Sequence, residues 1–175
     1  MIIEFLTLKW YNSKNYMILI QTLLIIFSIF CFSLWGIQLV FTADKTVKDL
    51  KIPKKQFVIY VLEWCSLNLG KLKHDYNLEI KYHKDKVYGG IYIPYSRTIR
   101  IFVHNELPII DLTENIIHEY VHYLQNNKKG TDVEHNKHLH ELGYWNNPFE
   151  IEARKLSAKY KDQCYRYVTN SYRII

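Results

Sequence analysis

The chain has 175 residues, a formal net charge of +6 and 49% hydrophobic residues. Once an apolar N-terminal stretch is set aside, about 130 residues remain, enough to bury one core and too few for two domains. The positive balance does not predict nucleic-acid binding, because there is no Cys₂His₂ spacing, no RNA-binding aromatic motif and no dense arginine cluster.

No charged residue occurs between Lys14 and Asp44. Residues 17–41 read MILIQTLLIIFSIFCFSLWGIQLVF. As a helix they would rise roughly 37 Å, enough for a hydrocarbon core of about 30 Å with some tilt. Trp10, Tyr11 and Tyr16 at one end, and Trp35 and Phe41 at the other, sit where interfacial aromatic anchors belong. The stretch predicts a single transmembrane helix, with residues 1–16 as its flank, residues 42–52 as a juxtamembrane linker and the lipid bilayer as a partner. A cleaved signal peptide fits less well, since Phe41 would occupy a position that wants a small residue. Lys45, Lys48, Lys51, Lys54 and Lys55 outnumber Lys9 and Lys14. The positive-inside rule then places a single-pass membrane protein with its main domain, residues 53–175, on the cytoplasmic side.

Pro53 can open a helix over residues 53–69, with Phe57, Tyr60, Val61, Trp64 and Leu67 as its apolar stripe and Gly70 as its stop. Residues 78–82, 90–94 and 98–103 read as strands, with Tyr95-Ser96-Arg97 as a turn. Ile91, Ile93, Ile99 and Ile101 would supply either a sheet edge or core packing. Cys31, Cys65 and Cys164 are spaced too widely for a disulfide framework, and free thiols are expected.

His118-Glu119-Tyr120-Val121-His122 reads H-E-x-x-H. Residues four apart lie on one face of a helix, so His118 and His122 can offer two imidazoles to one metal ion. Glu119 stands beside them, placed to take a proton from a water at that ion. Asp111 and Glu114 are spaced as a capping box for this helix, and Ile116, Ile117, Tyr120, Val121 and Leu124 give it a broad apolar face. A catalytic zinc wants a third protein ligand and one open position. The longer motif that adds Gly and a third His is excluded, because Gln125 and Lys128 occupy those places. The next candidate is a second helix opened by Pro148, on which Glu150, Ala153 and Ser157 share a face. Small residues there would let it lie close to the His helix. Glu152 and the loop histidines His135, His138 and His140 are the competing third ligands. His140, Tyr144 and Tyr123 are candidate donors to a developing oxyanion.

These motifs resemble those of the gluzincin metallopeptidases, in which H-E-x-x-H is followed on a second helix by a glutamate ligand and, three positions later, a small residue. The resemblance is closest to small phage- and bacterial-type domains whose second helix reads E-x-E-A, and it spans approximately residues 112–161. It implies Glu150 as the ligand and Ala153 as the small residue. The family's next position is often Asp or Asn, which orients a zinc histidine. Here it is Arg154, so that acceptor has to come from elsewhere.

The sequence therefore predicts an α+β chain: one N-terminal transmembrane helix, then a zincin-like domain with a small antiparallel sheet packed on helices. Its expected function is that of a membrane-anchored zinc metallopeptidase acting on peptides or proteins. Zn²⁺ would be held by His118, His122 and Glu150, with Glu119 as catalytic base. The alternatives are a non-catalytic zincin-like module in an assembly and a hydrolase of another amide.

Overall fold

A computed structural model describes residues 45–126 and 131–175, together with residues 21 and 25–29. The chain divides into two compact units, Met1–Ala43 and Asp44–Ile175. The second unit carries the site. Its elements are α1 (Lys54–Asn68), β1 (Asn77–Lys81), β2 (Gly90–Ile93), β3 (Thr98–Phe102), α2 (Ile109–Gln125), α3 (Thr131–Asn146) and α4 (Pro148–Tyr172).

The expectation of a transmembrane helix over residues 17–41 is corrected: among the described residues no helix is long and apolar enough to cross a membrane. Most of that stretch lies outside the described residues. The described piece, Ile25–Ile29, is helical and exposed. The helix of sufficient length, α4 with 25 residues, carries Glu, Lys, Arg and Asp along its course. The single-pass membrane localisation, and the cytoplasmic side drawn from the lysine count, fall with the span.

The sheet is three-stranded, in the order β1-β3-β2. It is mixed rather than antiparallel, since β1 runs parallel to β3 and only β2 is antiparallel. The β2–β3 hairpin turns through Pro94–Ser96, and Arg97 closes it in the left-handed region with φ 50°. With β3 in the middle, Leu78 and Tyr92 flank Ile99 and Ile80 flanks Ile101 on one face. Ile99 and Ile101 are fully buried there, whereas Ile91 on the opposite face is exposed. The alternation of β3 thus directs its isoleucines to the helices, while Arg100 pairs with Glu79 on the other side.

α1, α2 and α4 enclose the core. Phe57, Val58, Val61, Leu62 and Trp64 of α1 meet Ile109, Leu112, Ile116, Ile117 and Tyr120 of α2, with Cys164 and Val168 of α4. α2 packs most extensively on α4. Ala153 and Ser157 are buried at that interface, as the small-residue face predicts. Cys65 and Cys164 are free thiols. Burial pushes the Cys65 thiol well up and the Cys164 thiol to about 12, so both are unreactive at neutral pH.

Segment 45–52 is part of the same body. Val47 is buried, its N–H donates to the Leu107 carbonyl, and Thr46 bridges to Pro108. α2 begins at Ile109 with Pro108 as N-cap and no side-chain cap bond, so the expected capping box from Asp111 does not form. The chain reaches α2 from this short β-bridge, which leaves Asp111 already inside the first turn. Residues 131–146, expected as a loop, form α3. It buries none of its residues, and Gly143 breaks its geometry with φ 73° and ψ 169°.

Candidate metal centre

α2 presents His118 and His122 one turn apart, and α4 lays Glu150 against them. His118 Nε2 and His122 Nε2 are 3.0 Å apart. Glu150 Oε2 lies 3.3 Å from His118 Nε2, and Oε1 lies 3.5 Å from His122 Nε2. All three residues offer ligand atoms within 4.8 Å of one another, so the group could hold a metal ion. Pro148 at the start of α4 and the Asn147 side chain, which accepts from the Phe149 N–H at 3.1 Å, fix where Glu150 projects.

The hydrogen bonds leave this cluster short of protons. His122 Nδ1 faces Gln125 Oε1 at 2.8 Å, an acceptor, so Nδ1 carries the proton and, in the neutral ring, Nε2 turns its lone pair toward His118 and Glu150. Glu150 Oε2 is buried and makes no hydrogen bond. A cation among the three side chains would satisfy the free Nε2 and the orphaned oxygen together. Gln125 is itself held, its amide donating to Phe149 O and to Glu152 Oε2, each at 3.0 Å. It supplies the acceptor that Arg154 does not. Glu152 is exposed and sits behind Gln125, outside the ligand group.

Electrostatics follow the crowding. Burial works to raise the Glu150 carboxyl, but the imidazoles of His118, His122 and His135 outweigh it and hold the group far below the usual carboxylate range. Burial lifts Glu119 above its ordinary value against the pull of His122 and His118, with Glu150 adding to the rise. His122 is raised, because the carboxylates of Glu150 and Glu119 more than reverse the effect of its burial.

Glu119 is 6% exposed and pressed under the sheet edge. A Cβ on Gly90 would stand 2.6 Å from Glu119 Cγ, and one on Gly89 would stand 2.2 Å from Asn115 Nδ2. Only glycine lets β2 ride this closely on α2. On the far side of α2, Tyr120 OH donates to the Gly70 carbonyl and Tyr123 OH to the His74 carbonyl, each at 2.7 Å.

A cavity of about 570 Å³ opens over the triad, lined by β2, α2, α3 and α4. Of the sequence candidates for an oxyanion donor, Tyr144 lines it. Tyr123 is buried and spends its hydroxyl on the 70–76 segment, and His140 is exposed on α3. Burial and the nearby Glu150 push the Tyr144 phenol up to about 12, with Arg154 pulling the other way. Among the loop histidines, His135 Nε2 reaches Glu150 Oε1 at 3.2 Å but stands outside the ligand group, while His138 packs on Phe149. Sequence reasoning missed Gln125 and the glycine pair 89–90. No family model matches the chain, and neither a curated protein nor a solved structure matches it.

Proposed function

We propose that the domain is a zinc-dependent metallopeptidase of the gluzincin type. The observation that carries this reading is the convergence of His118 Nε2, His122 Nε2 and Glu150 from two helices beside a buried Glu119. A tetrahedral zinc with bonds of roughly 2.0–2.1 Å sets its ligands about 3.3 Å apart. The separations of 3.0, 3.3 and 3.5 Å bracket that spacing. Three ligands rather than four leave a position for water, as catalytic sites require, and His135 contacts Glu150 Oε1 without belonging to the ligand group.

Bound there, zinc would supply Lewis acidity toward a substrate carbonyl and make a nearby water easier to deprotonate. The chain supplies the rest. Gln125 holds His122 in the tautomer that offers Nε2. Glu119 lines the cavity, takes the proton from the attacking water and returns it to the leaving amine. Its burial favours the protonated form that the second step needs. Tyr144 lines the same cavity with a hydroxyl that stays protonated at neutral pH, a donor for the charge developing on the carbonyl oxygen.

The test is zinc content together with cleavage of a broad peptide library. Glu119→Gln should keep the metal and the fold and lose about 10²–10⁴-fold in rate, the usual worth of general acid–base catalysis. Equal cleavage by both proteins would overturn the peptidase mechanism built on Glu119, and none by the zinc-loaded wild type would leave the non-catalytic module as the better reading.

A further inference from the structure

Arg154 is the only lysine or arginine among the described residues that line the cavity, and the hydrolysis outlined above gives it no task. It follows Glu150 by four residues on α4, which puts it on the same face one turn further along. Its Nη2 donates to the Trp145 carbonyl at 2.7 Å. Its guanidinium lies 5.4 Å from the Tyr144 ring centroid and 5.0 Å from that of Trp145. One arm of the fork is thereby fixed. The other, Nη1, is buried and has no hydrogen-bond partner. No carboxylate among the described residues forms an ion pair with it, and two of the cavity's acids have other partners: Glu150 faces the histidines and Glu114 pairs with Lys161.

A planar donor pair, oriented by stacking and by one carbonyl and left with an idle arm, is suited to a carboxylate. Trp145 is 72% exposed and Tyr144 40% exposed, and both follow the break at Gly143. Arg154 and the triad line the same cavity, so a peptide lying along it can bring a carboxylate to the guanidinium.

We propose that Arg154 is the carboxylate anchor of this cavity, selecting peptides that carry a carboxylate near the bond to be cut. The inference rests on the metallopeptidase reading for the position of that bond. The carboxylate can come from the chain's C-terminus or from an Asp or Glu side chain. Both present the same chemistry to the guanidinium.

The test is binding by calorimetry to the full chain carrying Glu119→Gln, which removes turnover. One pair of probes is acetyl-Ala-Ala-Phe as the free acid and as the amide. The other is acetyl-Ala-Ala-Glu-amide against acetyl-Ala-Ala-Gln-amide. A charge-assisted pair should favour the anionic member by about tenfold or more. Preference within the first pair identifies a C-terminal carboxylate, and preference within the second identifies a side chain. Adding R154Q should bring the preferred pair to near equality. R154K, which keeps the charge and loses the fork, should fall between and serves if R154Q does not fold. No preference in either pair overturns the proposal, as does a preference that either folded variant leaves unchanged. A merely structural Arg154 would lower the melting temperature without moving the ratio between probes. Because the readout is binding, an Arg154-dependent preference in a protein that never cleaves would retain the anion site and discard the peptidase reading. Cleavage without preference would do the reverse.

Discussion

Two of the three helices that line the cavity, α2 and α3, are built on opposite terms. α2 buries nine residues, among them Ile116, Ile117 and Tyr120, and is pinned from behind through the hydroxyls of Tyr120 and Tyr123. α3 buries none. It is tied through single polar contacts, Asn147 to the His135 carbonyl, His135 to Glu150, and Arg154 to the Trp145 carbonyl. The groups that would bind metal thus belong to the rigid wall and to α4. The groups that touch those ligands from outside, His135 and Tyr144, belong to the loosely held wall. Metal ligands need fixed geometry, whereas a wall that meets substrate benefits from low local stability.

The largest test of this contrast is a matched pair of truncations. Ile117→Ala removes a side chain with no exposure from the junction of α1, α2 and α4, and should cost about 2–5 kcal/mol in denaturant unfolding. Leu139→Ala acts on a side chain that is already 40% exposed on α3, and should stay within about 0.5 kcal/mol. Similar losses at both positions would mean that α3 is as much a part of the core as α2.

The rigid wall also excludes bulk. Gly90→Ala would drive a methyl to 2.6 Å from Glu119 Cγ and 3.2 Å from the Arg100 carbonyl. Overpacking of this kind costs about 1–3 kcal/mol. The strand or the carboxylate has to move, and both are pressed against α2. On the proposed peptidase reading, the rate should drop by more than metal content does, because Glu119 shifts while the ligand atoms stay. Unchanged stability and rate would show that β2 yields freely.

Gln125 offers a test confined to the metal. Gln125→Leu removes the acceptor at His122 Nδ1 and frees the ring to turn or to take the other tautomer. Loss of such a partner weakens metal affinity by about 10–100-fold. The melting temperature of the metal-free protein should change little, since Gln125 is only half-buried. Competition with a zinc chelator reads the difference.

Gln125 also marks how far sequence reaches here. Its identity helped to exclude a longer zinc motif, but its own task depends on the end of α2 meeting Phe149 and Glu152 on α4, a contact that no spacing along the chain encodes. His118 and His122 were legible because helical periodicity alone brings them together. Glu150 was legible only through the small residues Ala153 and Ser157 and the gluzincin resemblance. The strands were placed within a residue or so, yet the parallel pairing of β1 with β3 was not, since alternation fixes a face and says nothing about direction. α3 was missed because a helix that buries nothing has no apolar stripe to read. The apolar stretch 17–41 was read from composition and length alone, and among the described residues no helix is long and apolar enough to cross a membrane.

The smallest effect belongs to the polar tie between α2 and α4. Lys161 Nζ meets Glu114 Oε2 at 2.6 Å, with both side chains about a third exposed. If the frame is held by its apolar interface, Lys161→Met should cost under about 1 kcal/mol, and less in high salt. The hydrogen bond with Glu114 is the chief cause that raises the Lys161 pKa above its ordinary 10.5. A lysine with a raised folded-state value stabilises fully while the unfolded lysine is still charged, below that ordinary value. The contribution is then lost as pH climbs through the raised one. Wild type and variant should therefore differ slightly at neutral pH and converge in unfolding free energy at strongly alkaline pH. A loss of several kcal/mol at neutral pH would instead make the ion pair, rather than the buried face, the element that keeps Glu150 against the histidines.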